Sequence, residues 1–433
     1  MDMYMEKSNN RFYIRTYGCQ MNKYDSDIIK TLLLDEDFED VSTPEEANFV
    51  LINTCSVREH AEKRAIGRLN SLKGLKNKKP EVIIGVLGCM AKELPDLINH
   101  PVVDFLAPPD SYRNLVKWIK AKKNGLIPEY KNEQYSNIFI SPNNISSYLS
   151  ITRGCNYFCS YCIVPYSRGY LRSRPPNEII KEAENLVKNG VREITLLGQN
   201  INAYYYKGVD FPGILKKVAG IKEIERLNFL TSHPKDIPLS LFDVMAEHKN
   251  VTNYLHLPLQ SASNRILMRM RRGYTIQDYM SLVNKGRKIL PDLTLTTDIL
   301  IGFPGEKDED FKETIMAVKK IRFDQSYMFA YSERKSTLSA LFNDNLEERI
   351  KNNRLRYLIE VQNEITEEKA HALKGKELEV LVVDKAKKGG KIGKSKNGKI
   401  IIVNGVAKIG SSYIVKINRI NGWVPIGEIK KEV

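Results

Sequence analysis

Three cysteines lie within eight residues of this chain, in the run Cys155-Asn-Tyr-Phe-Cys159-Ser-Tyr-Cys162. Thiolates this close in sequence converge on one centre, and soft thiolate ligands select zinc, Cu(I) or an iron–sulfur cluster. A structural zinc ion needs a fourth protein ligand, but the nearest histidines, His100 and His233, lie far along the chain. A cubane cluster held by three cysteines leaves one iron open. The run therefore predicts such a cluster, with an open iron for a substrate or cofactor.

The other three cysteines are far apart in sequence, yet they share one local context. Cys19, Cys55 and Cys89 each follow a short β-rich segment, and helical patterns separate the three segments. Alternation of strands and helices predicts a parallel sheet, whose strand carboxyl ends lie along one edge where ligands bind. These cysteines can therefore meet at one point, which predicts a second cluster. The alternative, three unrelated core cysteines, does not explain why each comes just after a strand.

Length and patterning together predict an α/β chain of three domains. At about 150 residues per domain, a chain of 433 residues corresponds to roughly three domains. We expect a parallel-sheet domain at 11–123, a polar linker at 124–145, and a second α/β domain at 146–373 that ends in a long charged helix. Residues 374–433 alternate apolar and polar side chains between glycine-rich turns, which predicts a small β-barrel.

Residues 146–373 contain six candidate strands with helical patterns between most of them. Six such units predict a partial (βα)6 barrel related to the eightfold barrel, in which functional groups occupy loops at the carboxyl ends of strands. The candidate binding residues at such ends are Gly198, Gln199, Asn200, His256, Gln260 and Gly302. A lone histidine at a strand end is equally often structural, so that alternative stays open for His256.

The positive charge is concentrated at one end of the chain. The formal net charge is +15, and residues 371–433 carry fourteen Lys and Arg against five Asp and Glu, a net of +9. A concentrated basic domain indicates an anionic partner, most often nucleic acid. The Lys- and Gly-rich segment Lys385–Lys399 is suited to phosphate contact. The alternative is a solvated surface that serves solubility.

Composition and hydropathy exclude several classes of protein. With 42% apolar and 27% charged residues, the chain has the composition of a folded protein. Its first residues have neither the apolar core nor the small-residue cleavage site of a signal peptide. The longest apolar runs, Val82–Leu87 and Ile299–Phe303, are too short to span a bilayer. We therefore expect a cytoplasmic protein with no membrane partner.

Both cysteine groups, in their sequence context, resemble those of the radical S-adenosylmethionine (SAM) methylthiotransferases. The basic tail is similar to the RNA-binding TRAM domain of that family. The segments that carry the resemblance are Thr16–Asn22, Asn53–Glu59, Gly88–Ala91, Arg153–Gly169, Leu197–Asn200, His256–Ser261 and Gly302–Glu306. Around Cys19 and Cys55 the residues look like the branch of the family that acts on N6-isopentenyladenosine in tRNA.

The resemblance implies two 4Fe–4S clusters, SAM and a reaction. One cluster would reduce SAM to methionine and a 5′-deoxyadenosyl radical, which removes hydrogen from C2 of the adenine, and the other would supply sulfur that a second SAM methylates. The implied ligands, which are also the catalytic residues, are the radical-cluster cysteines (Cys155, Cys159 and Cys162) and the donor cysteines (Cys19, Cys55 and Cys89). The family thus predicts a transferase of sulfur-containing groups.

Further partners and contacts follow from the same resemblance. SAM would lie across the strand ends near the six candidate binding residues. Arg168, just after the cysteine run, would pair with the SAM carboxylate or a tRNA phosphate, unless it belongs to a solvated basic face. The substrate would be the tRNA anticodon stem-loop, modified at position 37 after the base is unstacked. An electron donor such as flavodoxin or ferredoxin is implied, and we expect a monomer.

The sequence leaves two alternatives to this reaction open. A sister methylthiotransferase would act on a ribosomal protein aspartate or on threonylcarbamoyladenosine of tRNA. A non-enzymatic RNA-binding or electron-transfer protein would also hold iron–sulfur clusters, but it would need neither the barrel nor an open iron.

Overall fold

The computed structural model describes residues 10–56, 59–140, 144–387 and 389–433. Val57 and Arg58 of the motif Asn53–Glu59, residues 141–143 of the predicted linker and Lys388 of the predicted phosphate-binding segment lie outside the described residues. The described residues form two compact units. The first unit contains 10–140, 152–157 and 162–174. The second unit contains 144–151, 158–161 and 175–433.

The first fifteen elements run from residue 11 to residue 173. They are β1 (Arg11–Thr16), α1 (Gln20–Leu34), β2 (Glu39–Asp40), β3 (Phe49–Thr54), α2 (Glu59–Ser71), α3 (Lys73–Lys78), β4 (Ile83–Gly88), α4 (Cys89–Glu93), β5 (Phe105–Ala107), α5 (Tyr112–Lys120), β6 (Gly125–Leu126), β7 (Ser146–Ser150), β8 (Thr152–Arg153), α6 (Val164–Arg168) and β9 (Arg172–Ser173).

The first unit is built on a parallel sheet, as the sequence predicts. Its strand order is β2-β1-β3-β4-β5-β6, and every neighbouring pair is parallel. Strand β3 is buried along its whole length, as expected for a central strand covered on both faces. Its side chain Ile52 packs in one apolar cluster with Leu69 of α2 and Val86 of β4. The strands that precede the donor cysteines, β1, β3 and β4, are neighbours in this sheet.

The segment predicted as a polar linker at 124–145 is largely packed against the first unit. Strand β6 pairs with β5 at the sheet edge, and Ile127 and Tyr135 are buried. The Tyr135 hydroxyl donates to the Pro109 carbonyl at 2.6 Å, and its ring stacks on Tyr112. The apolar side chains here are too widely spaced to show a period, so composition alone indicated a loop.

The elements of the rest of the chain are as follows. They are α7 (Pro176–Lys188), β10 (Glu193–Leu197), β11 (Tyr205–Tyr206), β12 (Val209–Asp210), α8 (Phe211–Ala219), β13 (Arg226–Phe229), α9 (Ser240–Glu247), β14 (Tyr254–His256), α10 (Asn264–Arg269), α11 (Ile276–Ile289), β15 (Thr294–Ile301), α12 (Asp308–Ile321), β16 (Gln325–Ala330), α13 (Glu348–His371), β17 (Glu377–Lys385), β18 (Lys391–Ser395), β19 (Ile400–Asn404), β20 (Ser412–Asn421) and β21 (Val424–Glu432).

The second unit begins with the predicted partial barrel of six parallel strands. Strands β13-β10-β7 form one parallel sheet and β14-β15-β16 form another. A parallel bridge between Leu227 and Val251 joins them, and the Leu227 amide donates to the Asn250 carbonyl at 2.8 Å. Helices lie between consecutive strands, so the carboxyl ends of all six strands belong to one edge.

The second unit ends in a small closed β-barrel. Its strand order is β17-β18-β19-β21-β20, and its core includes Val380, Val403 and Val415. Helix α13 leads to it and packs on the partial barrel, where Gln362 Nε2 donates to the Phe323 carbonyl at 3.0 Å. Both features confirm the sequence prediction. In the described ranges, no helix combines the length and the hydrophobicity that crossing a membrane requires.

The predicted phosphate-binding segment Lys385–Lys399 is partly engaged within the protein. Lys394 forms an ion pair with Glu193, at the start of β10, and Lys399 forms one with Asp324 at 2.8 Å. These two lysines hold the small barrel against the partial barrel, so their charges are already compensated. Only tertiary packing could reveal this, because both acidic partners lie far away in sequence.

Candidate active site

The donor cysteines stand at the carboxyl ends of three adjacent strands in the first unit. Cys55 directly follows β3, Cys89 directly follows β4, and Cys19 precedes α1 a few residues after β1. Gly18 makes their close approach possible, since its φ is +124° and a Cβ there would lie 2.3 Å from the Cβ of Cys55. Cys55 and Cys89 are buried and Cys19 is half-buried. The structure thus brings these three predicted residues to one sheet edge.

The surroundings of the donor cysteines favour a thiolate at Cys19. A hydrogen bond with Cys55 lowers the pKa of the Cys19 thiol to about 6, aided by the charge of Arg168 and opposed by burial. Burial raises the pKa of the Cys89 thiol, and the charge of Arg168 opposes that rise. Because the thiolate is the form that binds metal, Cys19 is prepared for ligation at neutral pH.

A buried polar network surrounds these cysteines. Arg168 Nε donates to Cys89 Sγ at 3.2 Å, and Arg168 Nη2 donates to Asn22 Oδ1 at 3.2 Å and pairs with Asp25 Oδ2 at 2.9 Å. Arg153 Nη2 donates to the other Asp25 oxygen. The Asp25 side chain is fully buried and that of Arg168 is 4% exposed. Arg168, predicted as a SAM or phosphate contact, is therefore engaged with a donor cysteine.

Two of the radical-cluster cysteines, Cys155 and Cys162, belong to the first unit. Strands β8 and β9 pair around this part of the run, and the Cys155 amide donates to the Gly169 carbonyl at 3.1 Å. The Tyr157 amide donates to Cys155 Sγ at 3.4 Å. Backbone donors to sulfur of this kind stabilise a cysteine in its thiolate form.

The third radical-cluster cysteine, Cys159, belongs to the second unit and lies beside a buried guanidinium. Arg272 Nη1 donates to Cys159 Sγ at 3.5 Å, and Arg272 Nη2 donates to the Pro258 carbonyl at 2.9 Å. Arg272 follows α10, and its side chain is buried. Arg272 thus places a buried cation next to the sulfur of Cys159.

The surroundings of the donor cysteines fit an anionic group. In the part of the chain that the structure describes, no three His, Cys, Asp or Glu side chains are arranged to hold one ion. The buried donor Nη1 of Arg168 has no hydrogen-bond partner among the described residues, as expected beside an anionic group.

One of the predicted SAM-binding segments, Gly198 to Asn200, is held at its strand end by neighbouring loops. After β10, the Gly198 carbonyl accepts from Thr231 Oγ1. Buried Asn200 donates through Nδ2 to Asp236 Oδ2 at 2.7 Å, while its Oδ1 has no hydrogen-bond partner among the described residues. Gln199 between them is half-buried. Asn200 therefore offers a buried acceptor at the carboxyl edge.

His256 and Gln260 converge on Asp298 of β15. His256 Nε2 lies 3.4 Å from Asp298 Oδ2 and its Nδ1 lies 3.0 Å from Thr296 Oγ1. The Gln260 amide donates to the Asp298 carbonyl at 2.8 Å, with Gln260 in a left-handed conformation at φ +70°. The structure brings these two predicted residues together around Asp298, with His256 at its carboxylate and the backbone of Gln260 at its carbonyl.

Gly302 has a packing role that the sequence does not show. Its φ is +71°, and a Cβ there would lie 2.4 Å from Lys351 Cγ. Helix α13, which carries Lys351, can approach the end of β15 only because this residue lacks a side chain. The contact with Lys351 alone explains why position 302 is a glycine, so a bound ligand is not needed to explain it.

Sequence reasoning missed Asp25 and Arg272 as parts of the site. Asp25 lies on the buried face of α1 together with Asn22 and Ser26. Polar residues at helical spacing on a helix face that is expected to be apolar indicate a role other than packing. The sequence shows this pattern at Asn22, Asp25 and Ser26. Arg272 offered no such signal, because it lies in a turn among other basic residues.

Two family models match the parts of the chain that carry the cysteines. A family model described as the radical SAM superfamily matches residues 149–318. A second model, described as uncharacterized protein family UPF0004, matches residues 11–107. The first match covers the cysteine run and most of the partial barrel, and the second covers all three donor cysteines.

Curated relatives match nearly the whole chain. The tRNA-2-methylthio-N(6)-dimethylallyladenosine synthase of Thermodesulfovibrio yellowstonii is 40% identical over 410 residues, covering 94% of this chain and 95% of that protein. The protein of the same name from Clostridium novyi is 40% identical over 438 residues, covering 97% of each. Similarity of this extent includes all the segments that carry the donor and radical-cluster cysteines.

Solved structures of more distant proteins share the fold. The radical SAM methyltransferase TsrM from Kitasatospora setae aligns with a TM-score of 0.56 at 13% identity, covering 74% of this chain and 72% of that one. The cobalamin-dependent radical SAM enzyme OxsB aligns with a TM-score of 0.53 at 12% identity, covering 80% of this chain and 56% of that one. At such identity the likeness concerns architecture alone.

Proposed function

The chain belongs to the tRNA-2-methylthio-N(6)-dimethylallyladenosine synthases, a family of radical SAM enzymes, and on this premise we propose how its residues divide the reaction. It is a tRNA methylthiotransferase that attaches a methylthio group at C2 of N6-isopentenyladenosine. The observation that carries this conclusion is the identity of about 40% with synthases over nearly the full length of both chains. The names of these relatives favour this reaction over the sister reactions on threonylcarbamoyladenosine or a ribosomal protein.

The cofactors are SAM and two 4Fe–4S clusters. We assign one cluster to the radical-cluster cysteines, where it supplies the electron that cleaves SAM, and the other to the donor cysteines, where it supplies sulfur. The positions of the cysteines support this division. The radical-cluster cysteines lie within eight consecutive residues, and the donor cysteines lie at one edge of the parallel sheet. No cysteine is left over.

The residues of the partial barrel bind and orient SAM in this proposal. The acceptor Asn200 Oδ1, the His256 ring and the backbone of Gln260 lie at or just after the carboxyl ends of β10 and β14, where such barrels place ligands, and His256 contacts Asp298 within β15. Asp298 and Thr296 hold the His256 ring in place through its two nitrogens. Gly198, Gln199 and Gly302 shape the loops around these groups rather than supply charge.

The exposed face of the small barrel is the proposed tRNA surface. Lys416, Arg419, Lys430 and Lys431 are exposed on β20 and β21, and Trp423 in the turn between these strands is 52% exposed. Basic side chains with an exposed aromatic ring are suited to phosphates and to an unstacked base. This surface would hold the anticodon stem-loop while the base at position 37 enters the partial barrel.

The proposal extends to the electron donor, the location and the oligomeric state. Reductive cleavage of SAM requires an external one-electron donor, for which a flavodoxin or ferredoxin is suited. A tRNA substrate and the lack of a membrane-crossing helix in the described ranges favour a cytoplasmic location. We propose that the enzyme acts as a monomer.

Two triple variants test the division between the clusters. Replacement of the donor cysteines by alanine should leave SAM cleavage intact but abolish the methylthio product, because only the sulfur source is lost. Replacement of the radical-cluster cysteines should abolish both. Each variant is the control of the other, with 5′-deoxyadenosine measured by chromatography and tRNA nucleosides by mass spectrometry. Full product formation without the donor cysteines would contradict the assignment.

A further inference from the structure

One cation of the first unit lies buried against a donor cysteine. The guanidinium of Arg168 contacts Cys89 Sγ through Nε at 3.2 Å, and Asn22 and Asp25 bind its Nη2. Its Nη1 is buried and has no hydrogen-bond partner among the described residues. An arginine at a SAM or phosphate site would instead keep its fork open toward the ligand.

The charges around this arginine are unbalanced in a way that suits an anionic cluster. Two buried guanidinium groups, Arg153 and Arg168, share the carboxylate of Asp25. A buried cation without a matching anion is strongly unfavourable. A cluster ligated by thiolates is anionic, so it would supply the missing charge at Cys89.

The network also connects the segments that carry the two cysteine groups. Arg153 precedes Cys155 and Arg168 ends α6, which begins shortly after Cys162. Both reach Asp25 on α1, the helix that begins directly after Cys19. Arg153 is further held by the Tyr135 ring, whose centroid lies 4.5 Å from its guanidinium carbon. One carboxylate thus anchors both flanks of the radical-cluster segment to the helix at Cys19.

We propose that Arg168 is a positioning residue of the sulfur-donor cluster, held in place by Asp25. Its Nε–H donates to the sulfur of Cys89, and its charge stabilises the reduced, more negative form of the cluster, which raises the reduction potential. The inference rests on the proposed function, because it requires a cluster on the donor cysteines. It assigns to Arg168 a role toward sulfur rather than toward SAM.

The test uses the full chain with the radical-cluster cysteines replaced by alanine, so that the donor cluster alone is titrated. Arg168→Gln should shift the reduction potential of the donor cluster to a more negative value by at least about 59 mV. For one electron this shift is a tenfold change in the equilibrium constant. Arg168→Lys should restore most of the potential, since it keeps the charge. The control Arg113→Gln removes a cation that pairs with Glu133 at 2.8 Å, and it should change nothing.

An unchanged potential in an Arg168→Gln variant that retains its iron would overturn the inference. If that variant does not retain iron, the proposal is tested by pulsed electron paramagnetic resonance of the reduced donor cluster in the chain that keeps Arg168. Labelling with nitrogen-15 arginine should give a nitrogen coupling that disappears in Arg168→Lys, and its absence with Arg168 present contradicts the proposal. A parent chain that binds no iron on the donor cysteines contradicts the proposed function as well, so the two failures are distinguishable.

Discussion

At the scale of single residues, the site depends on buried charges as much as on cysteines. Asp25 is fully buried, accepts a hydrogen bond from Arg153 and forms an ion pair with Arg168, and Arg272 lies buried beside Cys159. Breaking a buried pair by removing one partner costs about 3–5 kcal/mol, since the other charge is left uncompensated. These residues therefore stabilise the protein and set the electrostatic field of its sulfurs together.

His233 predicts a measurable pH dependence of stability. Burial lowers its pKa to about 2, with the charges of Arg272 and Lys235 acting in the same direction. Between this value and its ordinary pKa of 6.5, the unfolded chain binds more protons than the folded one. The contribution of neutral His233 to the free energy of unfolding is therefore fully present above pH 6.5 and is lost as the pH falls. At pH 5 the loss should reach about 2 kcal/mol.

The measurement is the free energy of urea unfolding at pH 5 and pH 7 in two variants. In His233→Asn, whose amide oxygen can accept as Nδ1 does, this part of the acid sensitivity should disappear. His371→Gln changes an exposed histidine and should keep the sensitivity of the parent chain. Equal sensitivity in His233→Asn and His371→Gln would rule out the assignment to His233.

At the scale of elements, the strand ends bring distant ligands together. Strands β1, β3 and β4 are adjacent, so cysteines separated by more than thirty residues each reach the same edge. Parallel pairing is the physical reason, because it aligns the carboxyl ends of strands that are consecutive in the sheet. The backbone before Cys19 must then pass very close to Cys55, and only glycine permits this.

Gly18→Ala should damage the donor site selectively. The added Cβ would lie 2.3 Å from Cys55 Cβ at a φ of +124°, so either the backbone or the cysteine must move. We expect iron content to fall by about half, while SAM cleavage persists. Gly67→Ala in α2 is the control, since a Cβ there meets nothing within 4 Å and alanine favours a helix by up to about 1 kcal/mol. Full iron content in Gly18→Ala would show that the close approach is unimportant.

At the scale of the whole molecule, two observations limit how the positive charge can be used. Residues 371–433 carry a net charge of +9, but Lys394 and Lys399 are paired with Glu193 and Asp324. The exposed basic side chains of β20 and β21 are therefore a better candidate for phosphate contact than the segment Lys385–Lys399 as a whole.

Charge removal on this surface should weaken tRNA binding in a salt-dependent way. A variant with Lys416, Arg419, Lys430 and Lys431 changed to alanine should bind less tightly and lose about one unit of log–log salt slope for each phosphate contact removed. The control removes four exposed lysines from helices α7 and α8, namely Lys181, Lys188, Lys216 and Lys217. Filter binding of tRNA at several salt concentrations measures both slopes, and equal slopes would exclude this surface.

The sequence by itself determined the parallel sheet, the six βα units and the closing barrel, and it predicted which cysteines act together. Those features follow from spacing and periodicity, which are local properties of the chain. Tertiary structure alone decided that Arg168 donates a hydrogen bond to Cys89 and that Asp25 pairs with both Arg153 and Arg168. It also decided that Lys399 forms an ion pair with Asp324. The physical reason is that a buried charge is stable only beside its counter-charge, and that partner can lie anywhere in the sequence.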